Sequence, residues 1–236
     1  PATPPQVTIR KPDGTMIEWL EKNELNDSHP YGKYRADHLK TEYGTIKAND
    51  GQTLYWSMIK PSNFDPAKRY PVYVSVYGGP HAQHVTRRWG NEFDQYMAQQ
   101  GFVVWRLDNR GSYRRERVFT DAIYGNLGKH EVEDQLTCID WLCKQSFIDP
   151  KLVCVNGWSY GGFMALRLLE GGSDKIAAGV SGAPVTDWAL YDTHYTERYV
   201  GGTPKSAPEA YKNSGVFAHL DGLKSPLLLM HGMADD

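Results

Sequence analysis

Cysteine is scarce: three residues, Cys138, Cys143 and Cys154, in a chain of 236. An odd number without paired C-x-x-C spacing argues against a disulfide framework and against a zinc site. The three read instead as small buried residues on a helix and a strand. Long apolar runs are also lacking. Stretches such as 227–230 are far too short to span a bilayer. Residues 1–10 contain no apolar core of a secretory leader. Charge of one sign is not in excess either, with a formal net charge of −2. That leaves no electrostatic footprint for nucleic acid or an anionic membrane. Internal repeats and low-complexity tracts are absent. What is present is ordinary for a globular protein, 40% hydrophobic and 23% charged residues, on a chain long enough to bury a sizeable core.

The chain opens with a hairpin pattern. Strand-like stretches over 7–10 and 15–20 flank Pro12-Asp13-Gly14, a turn signal. A polar stretch over 21–41 has little periodicity and reads as a linker. A lone hairpin is not stable by itself, so the opening hairpin is expected to belong to a β-domain whose remainder lies upstream. A second hairpin follows, with strands over 45–48 and 53–59 around Asn49-Asp50-Gly51. Strand and helix then alternate. Strands are expected over 72–77, 102–107, 152–155, 176–180 and 227–230. One helix is expected to carry Trp89, Phe93, Tyr96 and Met97, with Gly101 as its stop. Another shows Val132, Leu136, Ile139 and Cys143 on one face, and a third runs over 162–170. The alternation predicts an α/β fold, a mostly parallel sheet flanked by helices.

Gly157-Trp158-Ser159-Tyr160-Gly161 fits G-x-S-x-G and lies between a β-rich run and a helical pattern. That context is what a nucleophile elbow requires. A tight strand-to-helix turn forces the serine into a strained backbone, so the residues two before and two after it must lack a Cβ. The hydroxyl then stands clear of the sheet, and the N-terminus of the following helix faces a developing oxyanion.

The stretch from Asn156 to Ala165 resembles the serine motif of the prolyl oligopeptidase family. Four further blocks agree with it: Val76 to Pro80, Asp108 to Ser112, Glu131 to Gln135 and His231 to Asp236. The block from Tyr191 to Tyr199 resembles the dipeptidyl peptidase IV branch of that family. The resemblance covers nearly everything from about residue 42 onward. It implies an α/β-hydrolase catalytic domain over 41–236, preceded over 1–40 by the end of a β-propeller and a linker. It also implies that the chain stops short of the domain's last strand and helix.

A serine hydroxyl needs a histidine to take its proton and an acid to orient the histidine. The expected chain order is Ser, acid, His. Position alone leaves Asp235 and Asp236 as acids, and the family motif favours Asp235. All eight histidines precede it. The resemblance implies a base a few tens of residues after the acid, so the base is expected outside this chain and the chain alone is expected to be inactive. One oxyanion donor is expected to be the backbone N–H of Tyr160. The resemblance implies the Tyr77 hydroxyl as the second.

Trp188, Tyr191 and Tyr195 recur at i, i+3 and i+7, so one helix would present them on one face, as core or as a pocket. The resemblance implies an aromatic pocket for a proline ring, with Val185 as a further wall. Arg110 reads as a structural ion-pair residue that could reach substrate, and His81 and His84 have no assigned role. The expected function is a serine exopeptidase releasing N-terminal dipeptides with proline or alanine second, with a peptide beginning Xaa-Pro as its partner. Metal and organic cofactor are not implied. The resemblance allows a homodimer and a periplasmic or extracellular location. Tripeptidyl peptidases and prolyl endopeptidases share the motifs, since the grip on the free amino terminus belongs to the propeller. An esterase would show His-Gly-Gly where this chain has Tyr77-Gly78-Gly79-Pro80. A non-catalytic interaction module is the reading from outside the enzymes.

Overall fold

The computed structural model describes residues 3–235. Asp236, the second acid considered above, lies outside the described residues. Strands β1 (Val7–Arg10) and β2 (Met16–Glu21) form an antiparallel two-stranded sheet, and it shares no hydrogen-bonded strand with the main sheet. The main sheet has seven strands: β3 (Thr41–Lys47), β4 (Thr53–Ile59), β5 (Tyr70–Ser75), β6 (Val103–Asp108), β7 (Ile148–Trp158), β8 (Ala178–Gly182) and β9 (Leu227–Met230). Their order is β3-β4-β6-β5-β7-β8-β9. The pairs β3–β4 and β4–β6 are antiparallel, and every pairing from β6 onward is parallel. The helices are α1 (Glu92–Gln99), α2 (Arg117–Thr120), α3 (Lys129–Cys143), α4 (Tyr160–Gly172), α5 (Thr193–Val200) and α6 (Pro208–Ser214). This is the α/β-hydrolase architecture. Parallel strands need crossovers, and helices with apolar faces supply them and cover the sheet.

The core gathers around the central strands. Val72 and Val74 of β5, Val103 and Trp105 of β6 and Val153 and Val155 of β7 share one buried cluster with Phe163, Leu168 and Leu169 of α4. Helix α4 has no charge in its first turn and is buried nearly all round. It therefore sits inside the domain rather than on its rim.

Two expectations need correction, and a third segment gains detail. Trp89 is not part of α1: Asn91 caps the helix, its side chain accepting from the Phe93 N–H at 2.8 Å. An Asn side chain that satisfies a first-turn donor starts the helix there. Trp89 instead stacks on His38 with centroids 4.4 Å apart. The linker expectation for 21–41 is not tested by these contacts, although the stretch is anchored. It contains a short 3-10 helix, Gly32–Asp37, and Gln95 bonds both backbone groups of Leu39. In α3, the buried positions are Glu131, Asp134, Gln135, Cys138, Ile139 and Leu142, whereas Val132, Leu136 and Cys143 are half-buried. Apolar periodicity pointed to a neighbouring face because the polar side chains of this one find partners inside.

Candidate active site

β7 runs into Ser159 and α4 begins at the next residue. Ser159 has φ +60° and ψ −121°, a conformation that non-glycine residues adopt only where the surroundings impose it. Its backbone is locked on both sides. The N–H donates to the Gly182 carbonyl at 2.9 Å and the carbonyl accepts the Phe163 N–H at 3.0 Å. The flanking glycines are required by contact. A Cβ on Gly157 would meet the Gly161 carbonyl, and one on Gly161 would meet the Val76 carbonyl and lie 3.1 Å from Tyr77 Cα. A Cβ on Gly162 would strike the Gly182 carbonyl. The elbow is therefore wedged between the ends of β5 and β8, at the carboxyl edge where sites in open α/β sheets gather.

The turn after β5 carries Tyr77, which is half-buried, and burial raises its hydroxyl pKa. Its ring stacks on His84 at 5.3 Å and lies 6.0 Å from the Tyr160 ring. Burial, with Arg106 second, pushes the pKa of His84 down to about 4, so at neutral pH Tyr77 rests on an uncharged ring. Two residues that sequence reasoning passed over hold this turn. Asn109 Nδ2 donates to the Gly78 carbonyl at 3.0 Å, and Asp108 accepts the His84 N–H at 2.7 Å. Their signal was the Asp108 to Ser112 block, whose role was not legible without the fold. Arg110, in the same block, is buried and bonded to Asp134 through Nε and Nη2, with Asp50 at 3.1 Å from Nη1. It holds structure together and makes no contact with the cavity at Ser159.

That cavity has a volume of about 580 Å³ and is lined by Ser159, Val185, Tyr191, His231 and Asp235 among others. The structure thus brings together the elbow serine, the expected acid and two of the four expected wall residues. His231, set aside in the sequence, reaches the same cavity, with Nδ1 3.4 Å from Asp235 Oδ2. Both of these side chains are partly exposed. Among the described residues no side chain hydrogen-bonds Ser159 Oγ.

The aromatic segment departs from the single helix expected. Trp188–Leu190 is a 3-10 turn and Tyr195 lies in α5, with an extended break at Tyr191 and Asp192. Two aspartates cause the break. Asp187 accepts the Ala189 N–H at 2.9 Å, and Asp192 accepts the Tyr195 N–H at 2.8 Å, so each starts a new helical turn. The three rings still meet. Trp188 and Tyr195 stack at 6.0 Å, and Tyr191 meets Tyr195 edge-on at 5.6 Å. Trp188 is fully buried, its Nε1 donating to the Ser214 carbonyl at 3.0 Å. It forms the floor behind the wall, while Val185 and Tyr191 line the cavity itself.

A mostly parallel sheet, a serine at a strained strand-to-helix elbow and a carboxylate after the last strand define an α/β hydrolase. The sequence model of the prolyl oligopeptidase family matches residues 91–236. The chain belongs to that family. It is 40% identical over 202 residues to the "Probable dipeptidyl-aminopeptidase B" of Aspergillus oryzae, an overlap of 84% of this chain and 22% of that protein. It is 38% identical over 201 residues to the "Probable dipeptidyl peptidase 4" of Emericella nidulans, covering 82% of this chain and 26% of the relative. Among solved structures, Porphyromonas gingivalis dipeptidyl peptidase 4 superposes with a TM-score of 0.89 at 32% identity, covering 98% of this chain and 32% of that one. The chain spans between a fifth and a third of the length of these relatives.

Proposed function

We propose that these residues are the hydrolase part of a serine dipeptidyl peptidase that releases N-terminal dipeptides with proline, or alanine, in second position. The observation that carries the reading is the strained Ser159 elbow opening on one cavity with Asp235, Val185 and Tyr191. Ser159 Oγ attacks the carbonyl carbon of the second residue. Its proton passes to a base and then to the departing amine. The Tyr160 N–H and the Tyr77 hydroxyl donate to the oxyanion, and water then cleaves the acyl–serine bond. The base in this reading is a histidine outside these 236 residues, as the family resemblance implies, with Asp235 as its acid. Proline offers no N–H and a rigid ring, so shape and apolar contact must select it. Val185 and Tyr191, backed by Tyr195 and Trp188, form a wall of that kind. The β1–β2 hairpin belongs, in this reading, to a propeller that holds the peptide's amino terminus. The names of the relatives support the dipeptidyl length over tripeptidyl or endo cleavage.

The test uses the full-length enzyme with Gly-Pro and Gly-Ala p-nitroanilides. A serine-directed phosphonate should label Ser159 and stop release of both dipeptides. Labelling at another residue would remove Ser159 from the mechanism, and no labelling at all would point to an interaction module. Tyr195→Ala should lower kcat/KM for the proline substrate far more than for the alanine one, because the ring makes most of the apolar contact. An unchanged ratio, together with a large drop in Tm, would make the aromatic segment core rather than pocket.

A further inference from the structure

The buried polar face of α3 lies beneath the elbow, and no step of the reaction above uses it. Glu131 begins that face and is wholly buried. Its Oε1 accepts the Gly128 N–H at 3.0 Å, which ties the side chain to the start of α3. The same oxygen accepts the Tyr160 hydroxyl at 2.7 Å. Tyr160 is the first residue of α4, the one whose backbone N–H faces the oxyanion. Its ring lies between two parts of the site. It sits 6.0 Å from the Tyr77 ring and 5.6 Å from Trp188. A Cβ on Gly79 would come within 2.9 Å of Tyr160 Cγ, so the Tyr77-Gly78-Gly79 turn rests on this ring. One turn further along α3, Gln135 Nε2 donates to Asn109 Oδ1 at 2.9 Å, and Asn109 donates to the Gly78 carbonyl. The face therefore grips the site from both sides. The hydroxyl is the one polar atom on the Tyr160 ring, and its bond to Glu131 ties the ring to the start of α3.

We propose that Glu131 is a positioning residue for acyl transfer: by holding the Tyr160 hydroxyl it keeps the Tyr160 N–H and the Tyr77 hydroxyl aimed at the oxyanion. The role rests on the serine-peptidase reading above. Glu131 touches neither substrate nor nucleophile, so its effect must pass through Tyr160. The oxyanion exists only in the transition state, and a misaimed donor lowers turnover more than it weakens substrate binding. What the hydroxyl needs is an acceptor oxygen rather than a charge. Burial pushes the Glu131 carboxyl up to about 7, and a glutamine offers the same carbonyl oxygen in the same place.

The experiment compares Tyr160→Phe, Glu131→Leu, their double variant and Glu131→Gln in the full-length enzyme. It reads kcat and KM on a Gly-Pro p-nitroanilide, the rate of Ser159 labelling by a phosphonate, and Tm. Tyr160→Phe and Glu131→Leu should each lower kcat by about ten- to hundredfold with KM within about twofold, less than the loss of a whole donor. The double variant should fall no further than the lower single, within about twofold, because both delete one interaction. Glu131→Gln should recover most of the activity. Singles that lower Tm but leave kcat intact, effects that multiply in the double variant, or a Gln variant no better than Leu would each overturn the proposal. If Glu131→Leu does not fold, Tyr160→Phe decides the matter: wild-type turnover there overturns it. An enzyme that labels at Ser159 but cleaves no Xaa-Pro substrate would refute the substrate reading alone, and the labelling rates of the variants would still test Glu131.

Discussion

The Ser159 elbow and the Asp235 turn stand at the same edge of the sheet, yet their surroundings differ. Ser159 is fixed by backbone on every side: the Gly182 carbonyl, the first helical bond to Phe163, and Gly157 and Gly161 pressed against each other and against the end of β5. Asp235 has a partly exposed side chain beside His231, and β9, which leads to it, leaves Leu228 and Leu229 exposed. The proposed oxyanion side resembles the elbow, since Tyr77 rests on His84 and its turn is bonded by Asn109. The proposed nucleophile and proposed donors therefore share one frame built from β5, β7, α3 and α4. Transition-state stabilisation loses value within tenths of an ångström, and packed backbone is the material that holds such tolerances.

The strongest way to break this contrast is to remove one donor from the rigid side. Tyr77→Phe keeps the ring and deletes only the hydroxyl. In the full-length enzyme kcat should fall by about a hundred- to a thousandfold, with KM nearly unchanged. Steady-state kinetics settle it, and wild-type turnover would make Tyr77 a packing residue.

A pair of glycine substitutions compares the two turns directly. Gly161→Ala drives a methyl into the Val76 carbonyl, whereas a Cβ on Gly232 would meet nothing nearer than Asp235 Cβ at 3.4 Å. Gly161→Ala should cost about 3 kcal/mol of stability, at the upper end for overpacking, and Ser159 labelling should be lost. Gly232→Ala should stay within about 0.5 kcal/mol, as for an unremarkable surface change. Equal Tm shifts from the two would erase the difference in rigidity.

A smaller and pH-dependent effect sharpens the account of what lies under the elbow. Burial raises the Glu131 carboxyl from 4.5 to about 7, more than the bonds from Gly128 and Tyr160 lower it, with Asp134 adding to the rise. The folded state therefore holds a proton that the unfolded state releases. Stability from this group is full below about pH 4.5 and is lost as pH rises through about 7. Glu131→Gln cannot ionise. Its stability relative to wild type should improve by roughly 2–4 kcal/mol between pH 4.5 and 7.5, at about 1.4 kcal/mol per pKa unit. Denaturant melts of both proteins across that range provide the check, and parallel curves would mean that Glu131 does not titrate in the folded state.

The elements that rest on local rules were legible in the amino-acid order alone. G-x-S-x-G between a strand and a helix identified the Ser159 elbow because the turn's steric demand is written into five consecutive residues. Alternating apolar runs identified the parallel sheet. The block pattern identified the family, which the match over residues 91–236 then established. The remainder rests on contacts between residues far apart in sequence. Which face of α3 is buried depended on Arg110, Asn109 and Tyr160, all distant in sequence, being present to hydrogen-bond Asp134, Gln135 and Glu131. Apolar periodicity cannot register a buried polar face. The aromatic segment broke into two helical turns because Asp187 and Asp192 capped each one, yet its rings still met across the break. Only the fold could place Trp188 behind the wall and Tyr191 on it, since spacing along a chain says which residues share a face of one helix but not which faces a cavity and which faces the core.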